Sequence, residues 1–274
     1  MSPILETRPI MRDSGPAPGS LRGRLIALTR PRGGEDALRE GLLELGGEVL
    51  EAPAIEFAPP SSFDDLDLAL RSLDGASWLA FASATAVERT IARAVHIGIE
   101  PALLGRSRLA AVGSATARRL ALLLRAPDLV PARATGEHLA RALAEAAGDD
   151  RVLVPRAEEG RAELIDGLSR AGVKVSAPAA YRTVPAPRQS LEPLAEALER
   201  GTVDAVVFAS PSAVKSAVAQ LGVRMLAHTT LAAIGPTTAA ELRAQGLAVA
   251  IQPARYSGRA LAEALALHFG PCSG

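Results

Sequence analysis

The sequence has one cysteine, four scattered histidines, few aromatic residues and no excess charge of either sign. The single cysteine, Cys272, excludes an internal disulfide, and the histidines lack the spacing of metal ligands. Because aromatic residues are only 3% of a chain that is 48% hydrophobic, Ala, Leu and Val must build the core. The 30 basic and 30 acidic residues balance, which argues against a nucleic-acid or membrane surface. Local groups must therefore bind any anionic ligand.

Long apolar segments are also missing from the sequence. No stretch is long and apolar enough to span a bilayer. Residues 1–20 are rich in Pro, Gly and Ser and lack the apolar run of a signal peptide. We therefore expect a disordered tail over residues 1–20, a cytoplasmic location, and a chain long enough for one large or two ordinary domains.

Pairs of similar segments indicate an internal repeat. They are FASATAV (81–87) with FASPSAV (208–214), LAAVGSATARRL (109–120) with LAAIGPTTAAEL (231–242), and PARATGEHLARALA (131–144) with PARYSGRALAEALA (253–266). A fourth match pairs residues between Arg30 and Val49 with residues between Arg156 and Val175 at a constant offset of 126. Four matches in the same order and at nearly one spacing predict that the fold itself is duplicated.

Within each copy, short apolar runs alternate with helical patterns. The runs have the nearly continuous hydrophobicity of strands that are buried on both faces. Between them lie segments such as 35–45, where Leu38, Leu42 and Leu45 share one helical face. This alternation predicts an α/β fold, with parallel sheets covered by helices on both sides. The predicted strands span 24–30, 48–52, 77–83, 108–113 and 128–132 in the first copy, and 151–156, 173–177, 204–210, 231–235 and 247–253 in the second.

Proline-rich breaks indicate where the domains divide. They lie inside each copy, at 53–62 and 178–188, and proline stiffens such segments into extended linkers. We therefore predict one discontinuous domain from 21–53 and 184–270, and a second domain over 57–178. Two linkers side by side would form a double hinge over a cleft. A division into one domain per copy, at the turn 148–150, remains the alternative.

Gly, Ser and Thr cluster at the turns where predicted strands lead into helices. Helix N-termini present unpaired N–H groups and a positive dipole end, which suits carboxylates or phosphates. The alternative is structural, since Gly permits a tight turn and Ser or Thr caps a helix. No turn reads GxxxxGK[ST] or GxGxxG, which disfavours a nucleoside triphosphate or a dinucleotide as the ligand. The candidate binding residues are Ser83, Gly113, Ser114, Thr116, Ser210, Ser212, Gly235, Thr237 and Thr238.

Two arginines and one tyrosine complete the candidate site. Arg30 and Arg156 occupy matching positions at strand ends, where they can bind an anion or simply pair with a surface carboxylate. Tyr181 lies in the second proline-rich break, where the repeat fails because its partner is Ile55. A tyrosine there can act in the cleft or pack its ring against the hinge.

Several of these segments together resemble uroporphyrinogen-III synthase from residue 24 to 268. They are LTRP, LGGEV, DAVVFASPSAV, AAYRTV and AAIGPTTAAEL. The resemblance implies two flavodoxin-like parallel-sheet domains joined by a two-stranded linker. It also implies a reaction in which hydroxymethylbilane, a linear tetrapyrrole with many carboxylates, loses water and closes with inversion of its last pyrrole. No cofactor or metal is implied, and we expect a monomer without nucleic-acid or membrane partners.

The resemblance also gives individual residues roles. It makes Tyr181 the candidate for assisting departure of the hydroxyl, and it places Ser210 and Thr238 in turns that line the substrate. Thr85 stands where relatives can have an arginine, so a carboxylate contact from that position is not implied. Two alternatives stay open. One is a clamshell protein that binds a tetrapyrrole or small anion without turnover, and the other is a hinge-closing sugar- or amino-acid-binding protein.

Overall fold

The computed structural model describes residues 16, 19–31, 37–73, 77–160 and 162–270. Most of the predicted tail (1–15, 17 and 18) and the start of the helix predicted at 35 lie outside these residues. The strands are β1 (Leu25–Leu28), β2 (Glu48–Glu51), β3 (Ile55–Ala58), β4 (Trp78–Phe81), β5 (Arg108–Ala111), β6 (Arg151–Leu153), β7 (Arg156–Ala157), β8 (Lys174–Ser176), β9 (Ala179–Pro185), β10 (Ala205–Phe208) and β11 (Thr230–Ala233).

Helices follow most of the strands. They are α1 (Ala37–Glu44), α2 (Asp64–Arg71), α3 (Ala84–His96), α4 (Pro101–Leu104), α5 (Ser114–Leu123), α6 (Gly136–Ala147), α7 (Glu163–Arg170), α8 (Glu192–Glu199), α9 (Pro211–Leu221), α10 (Val223–Leu226), α11 (Pro236–Ala244) and α12 (Gly258–Phe269), with a 3₁₀ turn at Arg188–Ser190. The chain divides into two compact units. Unit 1 contains the described residues of Met1–Glu56 and Pro185–Gly274, and unit 2 those of Phe57–Val184.

Unit 1 is built on a four-stranded parallel sheet with the order β11-β10-β1-β2. Alternate residues of a strand point to opposite faces, so the sheet has two cores. Val206 and Phe208 pack on one face with residues of α8, α9 and α11. Ile26, Leu28 and Val207 pack on the other face with α1 and α12. Burial on both faces explains why these strands read as continuous apolar runs.

Unit 2 repeats this layering on a parallel sheet with the order β5-β4-β6-β8. Leu79 and Phe81 pack on one face with α2, α3 and α5. Trp78, Ala80 and Val152 pack on the other face with α6 and α7. The predicted α/β fold with parallel sheets is therefore confirmed.

The amino ends of the strands are held by charged side chains. In unit 1, Asp204 accepts from the backbone N–H of Leu25 at 2.8 Å and from Arg24 at 2.7 Å. In unit 2, Asp128 accepts from the backbone N–H of Leu109 at 2.6 Å and pairs with Arg125. Each carboxylate thus fixes the start of a strand.

The structure corrects two predictions about strands. Segments 128–132 and 247–253 are not strands, and each pairs with its sheet through a single bridge. Pro131 and Pro253 have no N–H to donate and fix the local φ, so pairing does not extend along these segments. The bridges join Ala110 to Leu129 and Ala232 to Ile251.

The predicted two-stranded linker is also larger than expected. The strands β3 and β9 belong to a three-stranded sheet with the order β3-β9-β7. The boundary between the units falls within these two strands. The third strand, β7, pairs in parallel with β9 through Arg156 and Ala157. The sequence did not predict this strand because Pro155 separates it from β6 and it is only two residues long.

Candidate active site

In unit 2 the predicted residues lie at one edge of the sheet. The strands β4 and β5 are parallel neighbours, so their carboxyl ends lie side by side, and the N–H of Val112 donates to the carbonyl of Phe81 at 2.9 Å. Ser83 follows β4 and Gly113 follows β5, each immediately before a helix. Arg156 follows β6, the neighbour of β4 on its other side. The carboxyl edge therefore collects three of the predicted turns, as is typical of ligand sites in parallel sheets.

Two kinds of helix start lie at this edge. Ser83 is the N-cap of α3, and its Oγ accepts from the N–H of Ala86 at 3.1 Å. Gly113 is the N-cap of α5 and has no side chain with which to cap it. The first turn of a helix carries N–H groups that no helical carbonyl accepts, so the start of α5 is the more suitable of the two for an external anion.

Gly113 is required by a close contact rather than by its backbone angles. Its φ of −174° is extended backbone that any residue adopts. A Cβ built on Gly113 would lie only 2.7 Å from Cβ of Ala134, in the segment that leads to α6. In unit 1, a Cβ on the equivalent Gly235 would lie 3.4 Å from the ring of Tyr256, which is an ordinary contact. The two turns therefore differ in how tightly the neighbouring segment covers them.

Side chains in the first turn of α5 are divided between surface and core. Ser114 is exposed, whereas Thr116 is buried, with 5% of its surface accessible. Thr116 lies one helical turn before the buried Leu120, so both side chains point toward the core. Of these two hydroxyl groups, the structure exposes only that of Ser114 to a ligand.

Tyr181 lies on β9 with its ring buried and its hydroxyl beside Ser83. The ring is 7% exposed and meets the edge of Phe57 at a centroid distance of 5.2 Å. Tyr181 Oη lies 3.4 Å from Ser83 Oγ, and either atom can be the donor. Burial raises the pKa of Tyr181 above its ordinary value, against smaller lowering effects from the Ser83 hydrogen bond and the Arg89 charge. The phenol is therefore neutral near pH 7 and able to donate a proton.

Arg156 is held by its own turn. Its guanidinium donates from Nε to the carbonyl of Ala157 at 3.0 Å, and a second nitrogen donates to the carbonyl of Gly160. These bonds close the turn after β7, which indicates a structural role in addition to the predicted one. In unit 1, Arg30 follows β1 at the corresponding edge and is partly exposed.

The predicted residues of unit 1 also lie at the carboxyl edge of their own sheet. Ser210 caps α9 by accepting from the N–H of Ala213 at 3.2 Å, and Gly235 is the N-cap of α11. The Ile234 N–H bonds the Phe208 carbonyl at 3.0 Å, as its counterpart does in unit 2. The side chains of Ser212 and Thr237 are exposed, whereas Thr238 is 1% exposed.

The sequence analysis did not select Arg89, although its spacing of four residues from Thr85 could have indicated it. It lies on α3, four residues after Thr85, so the two positions share a helical face. Its side chain is exposed, and its charge lowers the pKa of Tyr181 against the larger effect of burial. The charge of Arg89 thus acts on the pKa of the tyrosine even though Thr85 itself has no charge.

The described part of the chain has no group of three or more His, Cys, Asp or Glu side chains placed to hold a metal ion. No helix in the ranges that the structure covers is both long and apolar enough to cross a membrane. Fold and site together define a parallel-sheet α/β protein with polar helix starts at the carboxyl edges of its sheets and a buried neutral tyrosine beside one of them.

Comparison with known proteins identifies the family. Residues 36–263 match the family described as Uroporphyrinogen-III synthase HemD, and the chain belongs to this family. It is 30% identical over 230 residues to uroporphyrinogen-III synthase of Synechococcus elongatus, covering 80% of this chain and 85% of that protein.

Solved structures support the same fold. The structure of uroporphyrinogen-III synthetase from Helicobacter pylori aligns with a TM-score of 0.62 at 19% identity, covering 89% of this chain and 99% of the other. A mutant uroporphyrinogen III synthase from Thermus thermophilus aligns with a TM-score of 0.57 at 21% identity, covering 89% and 99%. The family model and the Synechococcus relative confirm the family resemblance noted from the sequence.

Proposed function

We propose that this protein converts hydroxymethylbilane into uroporphyrinogen III, with loss of water and inversion of the terminal pyrrole ring. Family membership supports the reaction class. The observation that carries the assignment to a site is the buried Tyr181, whose neutral hydroxyl lies 3.4 Å from Ser83 at the carboxyl edge of a parallel sheet.

The chemistry needs only modest help from side chains. The pyrrole nitrogen of the first ring can expel the hydroxyl group and leave an azafulvene, and Tyr181 donates a proton so that the group departs as water. The substituted carbon of the terminal ring then attacks the azafulvene carbon and gives a spiro intermediate. The bond between that ring carbon and its methylene bridge breaks, and the bridge carbon bonds instead to the unsubstituted carbon beside the ring nitrogen, which closes the macrocycle with the ring inverted. The phenolate of Tyr181 regains its proton when the last pyrrole becomes aromatic. Because the barrier is low, the protein acts mainly by fixing geometry.

Substrate carboxylates suit the helix starts. Gly113 on α5 and Gly235 on α11 are glycine N-caps at the carboxyl edges of the two sheets, and each leaves backbone N–H groups for an anion. The exposed hydroxyls of Ser114, Ser212 and Thr237 can add bonds from the first turn. Backbone donors bind carboxylates without a strong acid or base, which fits a reaction controlled by geometry.

The two units are, in this proposal, repeats of a flavodoxin-like domain joined by the strands β3 and β9. Matching sheet orders and matching serine caps at Ser83 and Ser210 support the repeat. The division into units at Glu56 and Pro185 supports the boundaries predicted at the proline-rich breaks. A monomeric state and a cytoplasmic location belong to the same proposal.

The isomer ratio of the product tests the function. Hydroxymethylbilane closes without inversion when no enzyme is present, so the spontaneous product is the I isomer. The protein at catalytic concentration should give uroporphyrinogen III at a rate proportional to protein concentration, with heat-denatured protein as the control. Production of the I isomer alone would leave only a protein that binds a tetrapyrrole without turnover.

A further inference from the structure

We infer that Ser83 is a positioning residue for Tyr181, because its hydroxyl donates to Tyr181 Oη and leaves the phenol proton free to reach the departing hydroxyl of the substrate. This inference rests on the proposed function and reassigns Ser83, which the sequence predicts to bind substrate directly.

The hydrogen-bond capacity of Ser83 favours this direction. A serine hydroxyl has one proton and two lone pairs, and one lone pair of Ser83 Oγ accepts the N–H of Ala86 at 3.1 Å. The positive end of α3 attracts the lone pairs and turns the proton away from the helix. Among the residues that the structure describes, Tyr181 Oη lies 3.4 Å from Ser83 Oγ and can accept that proton. The Ala86 N–H then donates to Ser83 Oγ, and the Ser83 O–H donates to Tyr181 Oη, so that each hydrogen bond strengthens the next.

The opposite direction would remove the chemistry. If Tyr181 donated its only proton to Ser83, none would remain for the leaving group. The 3.4 Å separation is long for O–H···O, as expected of catalytic hydrogen bonds that shorten only when substrate is bound. Ser83 therefore caps α3 and also keeps the proton of the Tyr181 hydroxyl directed away from Ser83 and available to the leaving group.

Ser210, the serine of unit 1 that corresponds to Ser83, caps its helix with the same geometry and serves as a control. Ser210 caps α9 with backbone angles of −154° and 154°, close to −159° and 154° for Ser83, and its Oγ accepts one N–H at 3.2 Å. Within the described ranges, its side-chain hydrogen bonding goes to Ala213 alone. The two serines thus share the cap, and Ser83 has in addition the contact with Tyr181 from its own unit.

Glycine substitutions separate the cap from the contact, because glycine is a tolerated N-cap that costs only a few tenths of a kcal/mol. Ser83→Gly should lower kcat about 2–10-fold, the effect of one neutral hydrogen bond, with little change in KM. Ser83→Thr should restore most of the rate. In a Tyr181→Phe background, Ser83→Gly should have no further effect on kcat. Ser210→Gly should multiply kcat by the same factor in both backgrounds, because the hydrogen bond of its Oγ lies within its own helix start.

An NMR measurement tests the contact independently of turnover. The chain has two tyrosines, Tyr181 and the 63% exposed Tyr256, so a ring-labelled sample gives two Cζ signals. Ser83→Gly should shift the Tyr181 signal, and Ser210→Gly should leave it in place.

Three outcomes would overturn the inference. An unchanged Tyr181 signal in Ser83→Gly would show that the contact does not exist. If Ser83→Gly lowered kcat by the same factor in the unsubstituted protein and in Tyr181→Phe, Ser83 would act independently of Tyr181. A raised KM with unchanged kcat would return Ser83 to direct substrate binding. Absence of turnover in the unsubstituted protein would instead contradict the proposed function, and the NMR result would still decide the contact.

Discussion

Replacing Tyr181 with phenylalanine removes one oxygen from a buried ring and leaves the packing intact. Tyr181 is only 7% exposed, and its edge contact with the Phe57 ring, at a centroid distance of 5.2 Å, does not use the hydroxyl. The lost hydrogen bond is the long one to Ser83, which keeps the Ala86 N–H as a partner. We expect the free energy of unfolding to fall by no more than about 1 kcal/mol, a shift of roughly 2–4 °C in Tm.

The rate should change much more than the stability. Loss of a general acid lowers rates by about 10²- to 10⁴-fold, and we expect the low end because the pyrrole nitrogen already drives departure of the hydroxyl. A fall in kcat of about 10²-fold corresponds to about 2.7 kcal/mol of transition-state stabilisation. Isomer choice should hold, since the fold and not the acid orients the terminal ring.

The assay must separate enzymatic from spontaneous closure. Initial rates of the III and I isomers should be measured at several protein concentrations, with the protein-free rate subtracted, because a slow variant allows the I isomer to accumulate. Circular dichroism and thermal unfolding of the same samples check the fold. A Tyr181→Phe protein with unchanged kcat would reduce the tyrosine to packing against β3. A folded variant whose protein-dependent product is mostly the I isomer would make Tyr181 a residue that orients substrate.

Two stability predictions follow from contacts outside the reacting groups. Gly113→Ala should destabilise unit 2 by about 1–3 kcal/mol more than Gly235→Ala destabilises unit 1. Both substitutions replace a glycine N-cap by alanine, which is a poorer cap, but only at Gly113 would the new methyl group lie 2.7 Å from that of Ala134. Thermal unfolding of the pair checks this, and equal effects would refute the contact argument. Arg93 donates two bonds, of 2.7 and 2.6 Å, that lower the pKa of Asp67 from 3.8. Asp67→Asn should therefore cost about 1–2 kcal/mol in urea unfolding above roughly pH 5, and the difference should shrink as pH falls below about 4. A difference that stays constant across this range would contradict the assigned ion pair.

Local patterns were sufficient for the four strands of each main sheet and for the helix starts. Strands buried on both faces read as apolar runs, and a serine before a helix is a reliable cap, so β4 and Ser83 followed from short segments. Tertiary burial was harder to predict. Thr116 was predicted as a donor, but its spacing of four from Leu120 places both residues on the core face. The same spacing relates Thr238 to Leu242, and this periodicity could have been used.

Contacts between distant parts of the chain were beyond local reasoning. Tyr181 was singled out because the repeat fails there, but Ser83 is 98 residues away along the chain. Nothing in either segment states that the two hydroxyls meet. The bonds of Arg156 to its own turn depend on β7, a two-residue strand that no periodicity can reveal. What could not be predicted was thus the shortest strand, the end of pairing at Pro131 and Pro253, and the contacts of side chains that are distant in sequence.

The carboxylates at the amino ends of the strands, Asp204 and Asp128, have a consequence for adaptation. They hold strand starts at the edge of each sheet opposite to the turns that carry Ser83 and Gly235. Substitutions that strengthen these ion pairs can raise heat tolerance without moving the groups that act on substrate. A lineage that moves to a warmer habitat, or an engineer who needs an immobilised catalyst, can therefore alter the amino edges and leave the chemistry at the carboxyl edges unchanged.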